Sequence, residues 1–115
     1  MLHYKAPLRD MRFLINEVLD YPQHYSTLSN GGDATPEMVD AILEGAATLC
    51  EEVLAPLNAS GDKEGCHLND GVVTTPKGFK EAYAEFIAGG WQGLSFPVEY
   101  GGQGLPMSLN LMKSE

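Results

Sequence analysis

Apolar residues recur at helical spacing in three stretches of the chain, separated by polar, glycine-rich segments. Met11, Leu14, Ile15, Val18 and Leu19 form one stripe at the 3.6-residue repeat, with Arg9, Arg12, Asn16, Glu17 and Asp20 opposite. That pattern predicts a packing helix that begins at Pro7, where proline suits a first turn, and stops at Pro22. Residues 23–34 are polar and end in Ser29-Asn30-Gly31-Gly32-Asp33, which predicts a loop. Thr35 then reads as an N-cap, followed by Pro36 and the acidic Glu37. The helix it opens is the longest in prospect, with Met38, Val39, Ile42, Leu43, Ala46, Leu49, Cys50, Val53, Leu54 and Leu57 on one face. Asp40, Glu44, Glu51 and Glu52 lie outside that stripe, and Pro56 predicts its end or a kink.

Residues 58–70 are rich in glycine, aspartate and asparagine, and predict a second loop. Asn69-Asp70-Gly71, between Leu68 and Val72-Val73, predicts a turn joining two very short extended pieces. Thr75-Pro76 repeats the cap-plus-proline signal and opens a third helix, with Phe79, Ala82, Tyr83, Phe86 and Ile87 on one face and Gly89-Gly90 as its stop. After Trp91, residues 96–106 (Phe-Pro-Val-Glu-Tyr-Gly-Gly-Gln-Gly-Leu-Pro) predict a tight, shaped loop of the kind that meets ligands. Met107, Leu109, Leu111 and Met112 then predict the start of a fourth helix, which Glu115 leaves unfinished.

At 115 residues with 43% hydrophobic content the chain is one small domain with a modest core, so global disorder is excluded. The net charge of −9 excludes nucleic acid and anionic membranes as partners. No apolar run is long enough for a membrane helix, the first ten residues lack the pattern of a secretory signal, and two cysteines make no disulfide framework. A reducing compartment, the cytoplasm, is the expectation.

The candidate chemistry is thin. His3, His24, His67, Cys50 and Cys66 are scattered, and the adjacent Cys66-His67 would point to opposite faces of an extended piece, so no metal site is expected. Asp62, Glu64, Asn69 and Asp70 share one loop, but neither EF-hand frame, from Ser60 or from Cys66, supplies the first acid and the closing glutamate. The glycine loop has Met107 where a dinucleotide fingerprint needs glycine or alanine, and it lacks the lysine of a phosphate loop. No Gly-x-Ser-x-Gly occurs, so no catalytic residue is assigned.

Three stretches nevertheless resemble one family. Tyr4-Lys5-Ala6-Pro7-Leu8-Arg9-Asp10-Met11-Arg12-Phe13-Leu14, with Asn16-Glu17-Val18-Leu19, is similar to the leader of a bacterial subgroup of acyl-CoA dehydrogenases. Residues 69–79, from Asn69-Asp70-Gly71 through Val72-Val73-Thr74-Thr75-Pro76, resemble the same subgroup, and Glu99-Tyr100-Gly101-Gly102-Gln103-Gly104 is similar to the family's glycine loop. The resemblance implies an all-α N-terminal helical domain, with residues 1–34 as leader helix and loop and residues 35–115 as the incomplete domain, cut in its fourth helix. It implies a FAD-dependent parent enzyme acting on acyl-CoA thioesters, 3-methylmercaptopropionyl-CoA and related short or medium ones among them. FAD would be held by later domains and a neighbouring subunit, and none by this piece. The catalytic glutamate that removes the α-proton would also lie beyond residue 115. Tyr100, Gly101, Gly102, Gly104 and Leu105 become candidates for the acyl-pocket wall, or for shaping its loop.

Two other readings compete, a stand-alone helical interaction module and an independent small-ligand domain. For the fragment reading, apolar surface around Trp91, Leu105 and residues 107–112 is expected to be exposed, and self-association through the fourth helix follows. The parent is expected to be a homo-oligomer.

Overall fold

A computed structural model describes residues 3–115. The fold is all-α with one small hairpin, as the sequence predicts. Helix α1 (Leu8–Phe13) continues through a π-helical turn (Leu14–Val18), and α2 spans Tyr21–Thr27. Helix α3 (Pro36–Thr48) also runs on through a π turn (Leu49–Leu54), then α4 (Pro56–Glu64). Strands β1 (His67–Asn69) and β2 (Val72–Thr74) precede α5 (Phe79–Ala88) and α6 (Met107–Ser114).

The first helix departs from prediction at both its face and its end. The chain breaks at Asp20, which takes a left-handed conformation (φ 48°), and Pro22 sits in the first turn of α2 rather than stopping α1. The polar segment expected to be a loop from residue 23 is therefore helical up to Thr27. Only Met11 and Ile15 of the predicted stripe are buried, while Leu14, Val18 and Leu19 are about half exposed. The cause is the π turn: Leu19 N–H donates to Leu14 C=O at 2.8 Å, five residues back, and the wider turn rotates the later residues off the core face.

Thr35 caps α3 as expected, its hydroxyl accepting from Met38 N–H at 3.2 Å. The preceding run of helix ends at Leu54, as Pro56 predicts, but Pro56 also occupies the first turn of α4, so the predicted loop begins only after Glu64. Gly61 makes the α4 packing possible, because a side chain there would overlap the Phe79 ring. Thr75-Pro76 does not open α5 either. Its helix begins three residues later, with Gly78 at φ 91° as the preceding residue. Gly90, at φ 73°, closes it as the glycine pair predicts.

The hairpin has Leu68 opposite Val73 and Asn69 opposite Val72. Asp70 and Gly71 both have positive φ (50° and 77°), the signature of the two-residue turn that matches strand twist. All six strand residues are exposed, so the hairpin is an appendage, not part of the core.

One core joins the leader to the rest. Met11, Ile15, Tyr25 and Ala34 pack with Val39 and Leu43 of α3, and with Leu94, Leu105 and Leu109. The apolar surface expected around the fourth predicted helix is mostly absent: Leu105 is 6% exposed, Leu109 0% and Trp91 half-buried. Only Met107 and Leu111 of that group project outward. Tyr25 hydroxyl and Ser108 Oγ share a 2.6 Å hydrogen bond that ties α2 to α6.

Candidate functional site

The glycine loop folds back on the segment that leads into it. Gly101 N–H donates to Val98 C=O at 3.0 Å, Gly102 N–H to Pro97 C=O at 3.0 Å and Gln103 N–H to Gly93 C=O at 2.8 Å. Gly104 N–H donates to Phe96 C=O at 2.8 Å, and Leu105 N–H to Leu94 C=O at 3.1 Å. Five successive amides, Gly101 to Leu105, are thus spent on the loop's own fold and are not free to cradle a phosphate. The Gln103 side chain adds a bond from Nε2 to Gly90 C=O at 3.1 Å, fastening the loop to the end of α5.

Gly102 is held by sterics. A Cβ there would run into the Phe96 carbonyl, the same group that accepts from Gly104. Gly101 adopts φ 86° to turn the chain, and a side chain there would point into open space. The five candidate residues therefore separate by position. Leu105 is buried in the core and anchors the loop, Gly102 and Gly104 are half-buried within it, and Gly101 and Tyr100 lie at its tip. Tyr100 is 80% exposed, with Val98 and Phe96 also outward-facing. Met107 continues this apolar edge: its Sδ accepts from Ser95 Oγ at 3.6 Å, next to Phe96.

Chemically, the loop presents rings and aliphatic groups on a rigid base. Glu99, its one titratable carboxylate, is exposed and hydrogen-bonded to no other side chain among the described residues. Such a surface can pack against an apolar chain but offers no poised acid or base.

Cavities lie elsewhere. A groove of about 350 Å³ between α4 and α5 is lined by Leu54, Leu57, Asn58, Phe79, Ala82, Tyr83 and Phe86. A larger hollow of about 700 Å³ lies among Tyr4, Cys50, Leu54, Ala59, Lys113 and neighbours. Residues 96–106 line neither. Of the calcium candidates, Glu64 accepts from Lys77 N–H at 3.0 Å and Asp70 forms the hairpin turn. Cys66 is exposed and Cys50 half-buried, both as free thiols. Burial chiefly, and then the Glu51 charge, push the Cys50 thiol above its ordinary pKa, with Lys113 acting the other way.

Two connections escaped the sequence reading. Glu51 binds the leader, accepting from Ala6 N–H at 2.9 Å and from Lys5 Nζ at 3.1 Å. Arg12 bridges two carboxylates one helical turn apart on α3, Asp40 (2.6 Å from Nε) and Glu44. The spacing of Asp40 and Glu44 was a visible signal for a cation partner, whereas nothing local pointed from Glu51 to Ala6.

No family model matches the chain. It is 39% identical over 112 residues, 97% of its length, to a 3-methylmercaptopropionyl-CoA dehydrogenase of Ruegeria pomeroyi, of which it covers 19%. It is 32% identical over 84 residues, 70% of its length, to a butyryl-CoA dehydrogenase of Syntrophomonas wolfei, of which it covers 14%. The chain thus spans about a fifth or less of the length of these curated relatives. No helix among the described residues is long and apolar enough to cross a membrane. With an all-α fold, and with similarity to one acyl-CoA dehydrogenase running over nearly its whole length at 39% identity, the chain belongs to the acyl-CoA dehydrogenase family.

Proposed function

We propose that this chain is the N-terminal part of a FAD-dependent enzyme that introduces an α,β double bond into acyl-CoA thioesters, in cytoplasmic fatty-acid or related acyl-CoA breakdown. The observation that carries the reading is the 39% identity across 97% of the chain. The two relatives are named for 3-methylmercaptopropionyl-CoA and butyryl-CoA, which favours a short or medium acyl thioester as substrate.

In this reading residues 1–34 are the leader and residues 35–115 the helical domain. The chain supplies one wall of the acyl pocket: Tyr100 makes the contact, Gly101, Gly102 and Gly104 set the loop's path, and Leu105 fixes it to the core. The base that abstracts the α-proton belongs, in this reading, to a later part of the parent enzyme, and the chain alone is inactive. The residues present do not fit FAD. The amides of residues 100–105 are engaged, and among the described residues no buried side-chain polar atom is left without a partner to receive a cofactor. A net charge of −9 also opposes a pyrophosphate. FAD in the parent enzyme would be held by other residues and by a second copy in a homo-oligomer.

The test is purification of the full-length protein. It should carry flavin and reduce an electron acceptor when given a short acyl-CoA, whereas the 115-residue chain should bind no FAD by fluorescence titration. Tight FAD binding by the short chain, or a colourless and inactive full-length protein, would overturn the assignment. Within an active full-length protein, Tyr100→Ala should raise KM for the thioester severalfold and leave Tm unchanged, because the side chain is 80% exposed and carries no packing. The competing reading, a stand-alone interaction module, draws on exposed Phe13, Phe96 and Val98, and would be favoured by a folded 115-residue product as the only form in cells.

A further inference from the structure

We propose that residues 3–7 form a strap latched by the single carboxylate of Glu51, and that release of the strap uncovers Cys50 at the edge of the adjoining hollow. The segment has no helix or strand of its own. Its two hydrogen bonds to the body both end on Glu51: Ala6 N–H reaches Oε1 at 2.9 Å and Lys5 Nζ reaches Oε2 at 3.1 Å. From Leu8 onward the leader is held differently, by apolar packing of Leu8, Met11 and Ile15 and by the Arg12 bridge to Asp40 and Glu44. Losing the latch therefore leaves the strap held only by Tyr4 and Ala6 against the body, without undocking α1.

The strap covers something specific. Tyr4 and Ala6 lie against Cys50, Leu43, Ala47 and Met112 on its inner side, and His3 and Tyr4 form one rim of the 700 Å³ hollow. The opposite rim is the end of α6, Lys113 to Glu115, and the floor is the π turn with Leu54. Glu51 belongs to that same π turn. A π turn adds a residue to the helical repeat and re-aims the side chains around it, a distortion frequent at functional sites. Here it puts one carboxylate under the strap while the neighbouring Cys50 faces the hollow.

The charged groups around the latch are Lys5 on the strap, Glu52 beside it, Arg9, Asp10, Arg12 and Glu44 along the same cleft, and, across the hollow, Lys113 and Glu115, whose charges reach Cys50 and Tyr4 respectively. Lys113 is already engaged with Trp91 C=O at 3.4 Å and lies over the Phe86 ring.

Cys50 reports the strap's position, and the exposed Cys66 in the same molecule is the internal standard. The experiment is iodoacetamide alkylation of both thiols in the 115-residue chain, followed by mass spectrometry across pH. Removing Glu51 also removes a negative charge beside Cys50, which alone would move the midpoint of the pH–rate curve. Gating is read at a single pH of about 8 in Lys5→Ala, where loss of a positive charge cannot by itself speed Cys50 and only release of the strap does. Glu51→Ala should raise the Cys50 rate about threefold to tenfold, the population shift that loss of charge-assisted surface bonds brings, and leave Cys66 unchanged. Lys5→Ala, at a side chain 85% exposed, should give a smaller rise in the same direction and covers the case of a misfolded Glu51 variant. Amide exchange at Ala6 should accelerate in both. An unchanged Cys50 rate in Lys5→Ala, or unchanged exchange at Ala6, would overturn the latch.

Discussion

Gly102 and Gly101 are adjacent, yet the structure requires glycine at each for a different reason. At Gly102 the obstacle is the Phe96 carbonyl, which cannot move without giving up its hydrogen bond from Gly104. At Gly101 it is the positive φ alone, since the space beyond is open. Gly102→Ala should therefore cost about 1–3 kcal/mol, as backbone strain at an over-determined position does. Gly101→Ala should cost about 1 kcal/mol, the penalty of a left-handed L-residue. Thermal denaturation of the two variants in parallel checks the order, and equal losses would contradict it. The sequence predicted a tight turn here but could not rank its glycines, because the decisive carbonyl belongs to a residue six positions away. Glu51 offers a second test at this scale. The Ala6 N–H first, and Lys5 second, hold its carboxyl below the ordinary value of 4.5. A depressed carboxylate contributes stability above the unfolded pKa and loses it as pH falls through 4.5 toward the folded value. The stability of Glu51→Gln should fall less steeply than wild type over that acid window, as followed by urea unfolding at stepped pH.

Among the elements, α3, α5 and the hairpin were legible because each carries a strong local signal: a Thr-Pro cap, a closing Gly-Gly pair, an Asp-Gly turn. Helices α2 and α4 were not. Tyr21–Thr27 shows little apolar repeat, and its one buried residue, Tyr25, contributes through a ring contact with Tyr21 and the bond to Ser108. Pro56–Glu64 carries a mid-helix glycine that reads as a loop until the Phe79 ring lying over it is seen. The start of α6 was read correctly, but its apolar face was expected to be exposed, and what covers it is the core that α3 and the leader build together. Leu109 is the measure of that docking, being wholly buried at the contact of α6 with the core formed by α1, α2 and α3. Leu109→Ala should cost about 2–5 kcal/mol by lost burial and the cavity left behind. Chemical denaturation gives the number, and amide exchange should show α6 loosening first. A loss under 1 kcal/mol would mean that α6 docks through its hydrogen bonds and not through its apolar face.

At the scale of the whole molecule, the chain is a slab of 55 × 37 × 16 Å with a radius of gyration of 16.9 Å. A compact chain of this length has about 13 Å. A thickness of 16 Å is about two stacked helices, so every element has one side toward one of the broad faces. Apolar side chains stand out on them, including Phe13, Leu14, Val18 and Leu19 along the leader and Phe96, Val98, Met107 and Leu111 beside the glycine loop. Against association stands the net charge of −9, which makes two copies repel. The two effects respond oppositely to salt: at about 0.1 M the screening length is about 10 Å, shorter than most of the molecule, whereas apolar contact is not weakened. Self-association should therefore be weak at low ionic strength and rise as salt is added. Sedimentation of the chain at low and high salt, at one protein concentration, reads this directly. Mass growing with salt supports apolar faces in search of cover, and Leu111→Lys, at a residue 67% exposed, should suppress the growth without lowering Tm. A monomer at every salt concentration would mean that the exposed side chains are too dispersed to pair, and would remove self-association from the proposed function.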